Sequence, residues 1–437
     1  MASLYERAAE YFEFRALKTN WRTEILAGLT TFMTMAYIVF VNPSILHEAG
    51  MPMAAVTAAT CLSAAVGSLA MGLFARYPIA LAPGMGLNAY FTYSVVKGMS
   101  VPWQTALGAV FLSGMAFLIL TAVGVRQLIV AAIPHELYAA VASGVGLFIA
   151  LIGFRESGII VPDPATMVGL GNLRDPKTLL AIFGLLVMAA LLAWGVRAAI
   201  LIGIVATSVA AFVTGNLKWT PQPYSFDDIT ATALQLNIRG AAGIGLLEIV
   251  FVFLFVDLFD NVGTLVAVGK KAGLFDRAHR IPRINRILFC DASATVAGSL
   301  AGTSTVVSYI ESAAGVAAGG RSGVTAVVVG LMFLAAMFVA PFAGVLPPAA
   351  TAPALIIVGS MMMTTVSEIA WSDTLVAIPA FLTMLAIPLT FSIANGLAFG
   401  FTAYTLLHVL RGRFREVNWM VYVLTGLFLV RFYYLGK

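Results

Sequence analysis

Charged residues are scarce in this sequence. Asp, Glu, Lys and Arg make up 10% of its 437 residues, whereas soluble proteins carry about 25%. Hydrophobic residues make up 60%, and at about 20 residues for each membrane-spanning helix they suffice for roughly a dozen spans. The composition excludes a soluble enzyme or a nucleic-acid-binding protein, and it predicts a polytopic protein of the lipid bilayer.

Cysteine and histidine are also rare. Both cysteines, Cys61 and Cys290, lie in or beside apolar runs, so no disulfide is expected. The histidines show no metal-ligand spacing, and the sequence therefore predicts no metal site and no bound cofactor. They are His47, His135, His279 and His408. Residues 1–21 mix charged with aromatic side chains, which indicates an interfacial amphipathic helix and not a cleaved signal peptide.

Fourteen apolar runs divide evenly around a polar stretch from Asn216 to Arg239. The seven before it lie at residues 24–44, 54–74, 78–97, 103–125, 134–153, 177–195 and 198–215. The seven after it lie at residues 244–268, 284–300, 302–318, 322–340, 347–365, 374–389 and 391–410. The run at 417–434 is too marginal to count as another span.

The positions of Lys and Arg predict the topology. With both termini in the cytoplasm, most of these residues fall in cytoplasmic segments, as expected for a membrane protein. Two halves of seven spans begin on opposite sides of the membrane, which is typical of an inverted repeat. The third and tenth runs are interrupted at equivalent places, near Gly84 and Gly302. Such paired breaks indicate the binding site of a transporter.

The first break contains Pro78 and Pro83, which favour an extended chain. Gly84 and Gly86 then permit a turn into a half-helix that begins near Gly86, with Asn88 in its first turn. A polar residue there suits a binding site. The alternative is a turn residue that hydrogen-bonds its own backbone.

The second break has a β-branched run that ends at Ser308 and is followed by helix-forming residues. This pattern predicts a short strand and a half-helix with Glu311 in its first turn. Ser308 and Glu311 also match a capping box, which would give Glu311 a purely structural role. A carboxylate at bilayer depth is costly and usually functional, so we favour a binding role.

The eighth run carries a narrow polar stripe on an otherwise apolar helix. Asp257, Asp260, Asn261 and Thr264 lie on one face at the helical period. Two ionised aspartates this close repel each other, and burial disfavours charge, so one of them is expected to hold a proton. The pair is therefore a candidate proton-coupling device.

Two further charged residues are weaker candidates. Asp291 follows the basic segment 270–286 and is expected to pair with it. Arg321 ends the second broken run on the predicted cytoplasmic side, where a positive charge is ordinary. Neither is assigned a functional role.

The predicted site combines acceptors with donors. Carboxylates accept hydrogen bonds, Asn does both, and half-helix N-termini offer free N–H groups. This set suits a flat neutral molecule with alternating N–H donors and carbonyl or ring-nitrogen acceptors, and it disfavours a small inorganic anion. A sugar remains an alternative ligand for this site. Four nearby aromatic side chains could stack on the ligand or could simply pack with each other. They are Tyr90, Phe91, Phe259 and Tyr309.

Several motifs together resemble one family. The opening RTEILAGLTTFMTMAYIVFVNP, the first break APGMGLNAYF, the eighth-span DLFDNVGTL and the segment GTSTVVSYIESAAGVAAGGRSG are similar to those of the AzgA-like purine permeases. These are relatives of the uracil and xanthine transporters in the nucleobase:cation symporter group. The similarity runs from about residue 14 to the end, and the last motif is highly specific.

The resemblance implies an all-α, uracil-permease-like fold. It has 14 transmembrane segments in two inverted repeats of seven, and spans 3 and 10 are each a short strand plus a half-helix. Spans 1–4 and 8–11 form a core domain that moves like an elevator against a gate domain of spans 5–7 and 12–14, which often dimerises. The expected division is an N-terminal interfacial helix (1–21), core (22–131), gate (132–215), outer loop (216–241), core (242–340), gate (341–411) and tail (412–437).

The resemblance also implies uptake of hypoxanthine, guanine or adenine across the cell membrane, coupled to protons in preference to sodium. The family's substrate-binding positions fall on Asn88, Asp257 and Glu311, to which we add Gly86, Tyr309 and Phe259. Asp260 joins Asp257 and Glu311 as a candidate for proton coupling. The alternative is transport of another solute on the same fold, either uracil or xanthine or an exchanged anion. The preferred purine cannot be read from the sequence.

Overall fold

The computed structural model describes residues 4–124, 126, 129, 132–217, 225–243, 247–272, 282–339 and 346–435. Parts of the predicted outer loop (216–241) and basic segment (270–286), together with His279, lie outside these residues. So do the first residues of the predicted eighth span and the junction of the predicted core and gate segments near residue 340.

The described chain is mostly helical. The helices of the first half are α1 (Leu4–Tyr11), α2 (Phe14–Leu17), α3 (Trp21–Met35), α4 (Ile38–His47), α5 (Met53–Ala70), α6 (Met85–Ala89), α7 (Trp103–Ala122), α8 (His135–Glu156), α9 (Pro176–Ala193) and α10 (Ala199–Val213). Those that follow are α11 (Phe226–Thr230), α12 (Ile238–Ala241), α13 (Leu247–Ala272), α14 (Ile284–Ala301), α15 (Ser312–Ala317), α16 (Gly323–Ala336), α17 (Pro348–Met362), α18 (Thr374–Leu389), α19 (Ile393–Leu410) and α20 (Trp419–Leu435).

Among the described residues, 7 helical segments are long and apolar enough to cross a membrane. They are Trp21–His47, Met53–Ala75, Trp103–Ala122, His135–Glu156, Pro176–Ala193, Pro348–Glu368 and Ile393–Leu410. Shorter apolar helices include Ala199–Val213, Gly323–Ala336 and Thr374–Leu389. The chain is a multi-pass membrane protein.

The marginal run near the C-terminus forms a full helix, α20. Its Phe428 is buried against Phe251 of α13 and Phe401 of α19, with ring centroids 5.6 and 5.7 Å apart. The apolar run is short for a membrane span. Its helix is nevertheless stabilised because it packs on two other helices.

The two broken segments meet in a small antiparallel sheet. Strand β1 (Leu81–Pro83) pairs with β4 (Val306–Ser308), and Ala82 lies opposite Val307. A second hairpin, β2 (Ile160–Asp163) with β3 (Met167–Leu170), lies elsewhere. Backbone that leaves a helix inside a membrane protein needs hydrogen-bond partners, and β1 and β4 provide them for each other.

Each strand leads directly into a half-helix, as the sequence predicts. Helix α6 begins just after Gly84 and continues as a π-helix over Tyr90–Gly98. Helix α15 begins just after Glu311. At its other end, the guanidinium of Arg321 donates to the carbonyls of Val316 and Gly320 at 2.7 and 2.8 Å. Because a cation suits the C-terminus of a helix, Arg321 stabilises this short helix.

The described helices pack in two groups. Helices α3, α5, α7, α14 and α16 pack mainly on each other, and α5 and α14 of this group contact strands β1 and β4. Helices α8, α9, α17, α18 and α19 form the other group. Helix α13 contacts both groups, through α7 and α15 on one side and α8 on the other.

A carboxylate that the sequence analysis did not single out fixes α16 beside α3. Glu24 is fully buried and accepts hydrogen bonds from the backbone N–H groups of Arg321 and Ser322, and from the Thr325 hydroxyl at 2.6 Å. The two backbone N–H groups lie at the start of α16, where the helix itself provides no acceptor for them. Glu24 therefore sets where the second broken segment ends.

Replacing Glu24 with Ala should destabilise the protein by about 2–4 kcal/mol, because buried N–H groups lose their acceptor. Thermal unfolding of the detergent-purified variant tests this, and Glu24→Gln, which keeps one acceptor oxygen, should lose less. An Ala variant that unfolds at the wild-type temperature would contradict this role for Glu24.

Candidate functional site

A cavity lies where the two half-helices begin, between the two helix groups. It has two lobes with about 420 and 790 Å³ of empty space, including the open mouth. Both lobes are lined by Asp260, Thr264, Ile310, Glu311, Val358 and Met362. We call this space the central cavity.

Glu311 reaches the central cavity from the position just before α15. Its Oε1 accepts a hydrogen bond from the Tyr37 hydroxyl at 2.6 Å. The Ser308 hydroxyl has no hydrogen-bond partner among the described residues, and Glu311 makes no side-chain cap. The capping box that the sequence allowed is therefore not formed, and the Glu311 carboxylate is directed to the cavity.

Asp260 of α13 lines both lobes and interacts electrostatically with Glu311. Phe259 lines the larger lobe, and the centroid of its ring lies 4.8 Å from the ring centroid of Tyr138 on α8. Two carboxylates and an aromatic face thus border the same space. Glu311 and Phe259 were predicted to bind substrate, and Asp260 was predicted to take part in proton coupling.

Gly86 and Tyr309 line the smaller lobe. A Cβ on Gly86 would lie 2.4 Å from a methyl group of Val145, so a side chain is excluded there. The Tyr309 hydroxyl donates to the Pro83 carbonyl at 2.5 Å and so joins the two broken segments.

Asn88 does not line the central cavity. Its side chain is fully buried, donates to Asn42 Oδ1 and accepts from the Ser304 hydroxyl. Asn42 in turn donates to Thr60 and Thr303 at 2.6 and 3.0 Å. The Asn88 side chain therefore does not hydrogen-bond its own backbone, as the alternative proposed, and it does not line the cavity. Instead, it connects the first half-helix to the chain before β4.

Asp257 does not line the central cavity either. Its Oδ1 accepts from Asn261 Nδ2 at 2.7 Å, and the same nitrogen lies 2.7 Å from Asp291 Oδ2. Asp291 pairs with Arg126 at 3.0 Å, and both side chains are buried. Asp291 thus pairs with a buried guanidinium from another part of the chain and not, as expected, with a described residue of the basic segment 270–286.

Of the aromatic residues considered as stacking partners, Tyr90 and Phe91 pack internally. Both are fully buried and both lie against Phe253, with centroids 5.2 and 6.4 Å away. Only Phe259 and Tyr309 of the four border the central cavity.

Sequence reasoning missed Tyr37, Arg126 and the residues that the second helix group contributes, such as His135 and Glu368. A weak signal existed for Tyr37, since it lies in an otherwise apolar span. No periodicity could have indicated that its hydroxyl meets a carboxylate 274 positions later in the chain.

Known proteins are similar to this chain along nearly its whole length. Residues 22–430 match the model of the Xan_ur_permease family, described as a permease family. A putative permease of Methanocaldococcus jannaschii is 53% identical over 98% of both chains. The guanine/hypoxanthine permease PbuG of Bacillus subtilis is 45% identical, covering 97% of this chain and 99% of its own. The adenine permease AdeP of Escherichia coli is 43% identical, covering 96% and 94%.

Solved structures show the same fold at low sequence identity. The transmembrane domain of the cyanobacterial bicarbonate transporter BicA superposes with a TM-score of 0.65 at 15% identity, covering 86% of this chain and 98% of its own. SLC26A9 superposes with a TM-score of 0.60 at 13% identity, covering 94% and 69%.

The family match spans nearly the whole chain and several relatives exceed 30% identity along their full length. The protein therefore belongs to the Xan_ur_permease family of permeases, and it is a membrane transporter and not an enzyme.

Proposed function

We propose that this transporter takes up purine nucleobases by proton symport. The observation that carries the proposal is the pair of carboxylates, Glu311 and Asp260, that border one cavity at the start of both half-helices. The names of AdeP and PbuG supply the ligand class, since these relatives are adenine and guanine/hypoxanthine permeases.

The cavity chemistry fits a neutral purine. A purine presents ring N–H donors, which the Glu311 and Asp260 carboxylates can accept, and ring-nitrogen or carbonyl acceptors, which backbone N–H groups near Gly86 can satisfy. Phe259 and Tyr309 border its flat faces. Asn88 and Asp257, for which the sequence suggested direct contact, are assigned here to the layer that positions the half-helices and α13.

The same chemistry argues against an anion, even though BicA shares the fold. The two lobes are lined by the carboxylates of Asp260, Glu311 and Glu368, and His135 is their only basic side chain among the described residues. Moving an anion beside buried carboxylates is unfavourable at low dielectric. A bicarbonate-like substrate is accordingly not proposed.

The proposed architecture has fourteen spans in two inverted repeats with both termini in the cytoplasm. The predicted runs coincide with the described helices and with the two strand-plus-half-helix segments, and the antiparallel pairing of β1 with β4 fits inverted halves. The two packing groups support the division into a core (22–131 and 242–340) and a gate (132–215 and 341–411). The gate is also the proposed surface for a homodimer.

The position of the central cavity supports a mechanism of alternating access. Its walls come from the core side at Asp260 and Glu311 and from the gate side at Val358 and Met362. An elevator-like shift of the core would carry the bound purine past a fixed gate. In the proposed topology His135 and Glu368 lie at the cytoplasmic side, so the described conformation is open inward.

Uptake of radiolabelled hypoxanthine and adenine into cells lacking their own purine transporters tests the function. Expression of the protein should give saturable uptake that a protonophore collapses. Uptake that follows a sodium gradient and resists the protonophore would contradict proton coupling, and the absence of purine uptake by a correctly inserted protein would contradict the substrate class.

Tyr37→Phe should raise the KM for the purine by about 5- to 10-fold with little change in maximal rate, because a hydrogen bond that orients a carboxylate contributes about 1 kcal/mol. Concentration-dependent initial uptake measures this. Tyr11→Phe, which removes a hydroxyl that donates to Leu73 outside the cavity, is the matched control. An unchanged KM in Tyr37→Phe would show that Tyr37 does not position Glu311.

A further inference from the structure

A buried charged cluster lies one layer behind the central cavity. It consists of Asp257 and Asn261 of α13, Asp291 of α14, and Arg126 from the connection that follows α7. At most 1% of each side chain is exposed. None of these four residues lines the central cavity, so substrate binding does not account for them.

The cluster has more negative than positive charge when both carboxyl groups are ionised. Arg126 is its only cation among the described residues, and it pairs with Asp291 at 3.0 Å while its guanidinium lies 4.1 Å from the Phe117 ring centroid. One guanidinium neutralises one carboxylate. A second ionised carboxylate in a dry interior is strongly unfavourable.

Two carboxylate oxygens in the cluster also lack hydrogen-bond partners. Asp257 Oδ2 and Asp291 Oδ1 are buried and have none among the described residues. The two carboxyl groups are neighbours, because Asn261 Nδ2 lies 2.7 Å from an oxygen of each. One added proton would remove the excess charge and would place an O–H group on one of these two oxygens. A metal cation would be repelled by the adjacent guanidinium.

We propose that Asp257 and Asp291 together hold the coupled proton, at a site separate from the carboxylates that contact substrate. This inference rests on the proposed function of purine uptake by proton symport. The step is a reversible protonation: an O–H bond forms on one carboxylate when the proton enters from one side of the membrane and breaks when it leaves to the other.

Asn261 connects this site to the substrate site. Its Oδ1 accepts a hydrogen bond from the backbone N–H of Ser308 in β4 at 3.0 Å, which also fixes the direction of its amide. Glu311 follows Ser308 by three positions. When a proton binds, the hydrogen bonds of Asn261 to the two carboxyl groups change, and β4 with Glu311 responds.

Three other titratable side chains interact with the cluster. Asp260 interacts with Asp257 from the same helix, Tyr138 of α8 interacts with Arg126, and Cys290 precedes Asp291. Of these, Asp260 borders the substrate cavity, so its loss should weaken substrate binding. This difference separates the two carboxylate pairs experimentally.

The test uses the purified full-length protein in liposomes and two measurements. One is exchange of radiolabelled hypoxanthine or adenine against internal unlabelled purine with no gradient, and the other is accumulation driven by an inward proton gradient. Asp291→Asn should keep the exchange and lose the accumulation. Glu416→Gln, an exposed carboxylate with a surface partner, is the matched control and should keep both.

Asp291→Asn leaves the Arg126 guanidinium unpaired and could prevent folding. The double variant Arg126→Gln with Asp291→Asn removes both charges and should also exchange purine without accumulating it. Monodisperse gel filtration of each variant shows that it is folded.

Proton-driven accumulation by folded Asp291→Asn at the wild-type level would overturn the inference and leave purine transport intact. Loss of exchange as well as accumulation in both folded variants would overturn it too, because the cluster would then serve transport in general. Wild-type accumulation driven only by sodium would overturn it while purine transport stands. Wild-type protein that exchanges no purine would instead overturn the proposed function.

Discussion

Glu311→Gln should reduce purine uptake by about 100-fold, because the amide presents an N–H donor where the purine N–H needs an acceptor. The change preserves size and shape, and Tyr37 can still donate to the remaining carbonyl oxygen. The measurement is initial uptake of radiolabelled hypoxanthine and adenine, normalised to the amount of protein in the membrane.

The matched control is Glu416→Gln, since Glu416 is an exposed carboxylate near the C-terminal helix whose partner is Arg413 at 3.7 Å. It should leave uptake unchanged. Wild-type uptake by Glu311→Gln would remove this residue from the binding site, and the proposed recognition of purine N–H groups would fail with it.

Gly315→Ala should remove most transport and lower the amount of folded protein. A Cβ at this position of α15 would lie 2.0 Å from the Thr31 hydroxyl and 2.6 Å from the Ala27 carbonyl of α3. Backbone cannot yield at such a distance, so the half-helix must move away from α3 and carry Glu311 with it. Overpacking of this kind costs about 1–3 kcal/mol or more. Uptake and thermal unfolding measure the two effects.

Gly426→Ala is the matched control for this glycine. A Cβ there meets nothing within 4 Å, so the change should be neutral or slightly stabilising in a helix. Adding Thr31→Ala to Gly315→Ala should restore only part of the function, because the Ala27 carbonyl remains. A single Gly315→Ala variant with wild-type uptake and stability would contradict the close packing of α15 on α3.

Local patterns predicted the helices and both breaks well. The apolar runs are long and bounded by Gly, Pro or charge, and the positions of the helices follow directly from these boundaries. The two prolines before Gly84 and the β-branched run before Ser308 similarly indicated where helix would give way to strand. These features depend on residues that are close in sequence.

The side-chain directions at the site could not be predicted in the same way. Asp257 and Asp260 share a helix face within about 60°, yet the cavity meets only the edge that carries Asp260, and Asp257 turns to Asn261. The partner of Asp291 was missed because Arg126 is 165 positions away. Asn88 was placed in the correct half-helix, but its contact with Asn42 depends on how α4 packs.

The most direct test of the account is competition for uptake of radiolabelled hypoxanthine by the purified protein in liposomes. At least one of unlabelled adenine, guanine and hypoxanthine should compete strongly, whereas bicarbonate should not compete. Uptake of neither labelled hypoxanthine nor labelled adenine, or uptake that bicarbonate blocks while purines do not, would contradict a cavity whose carboxylates bind the N–H groups of a neutral purine.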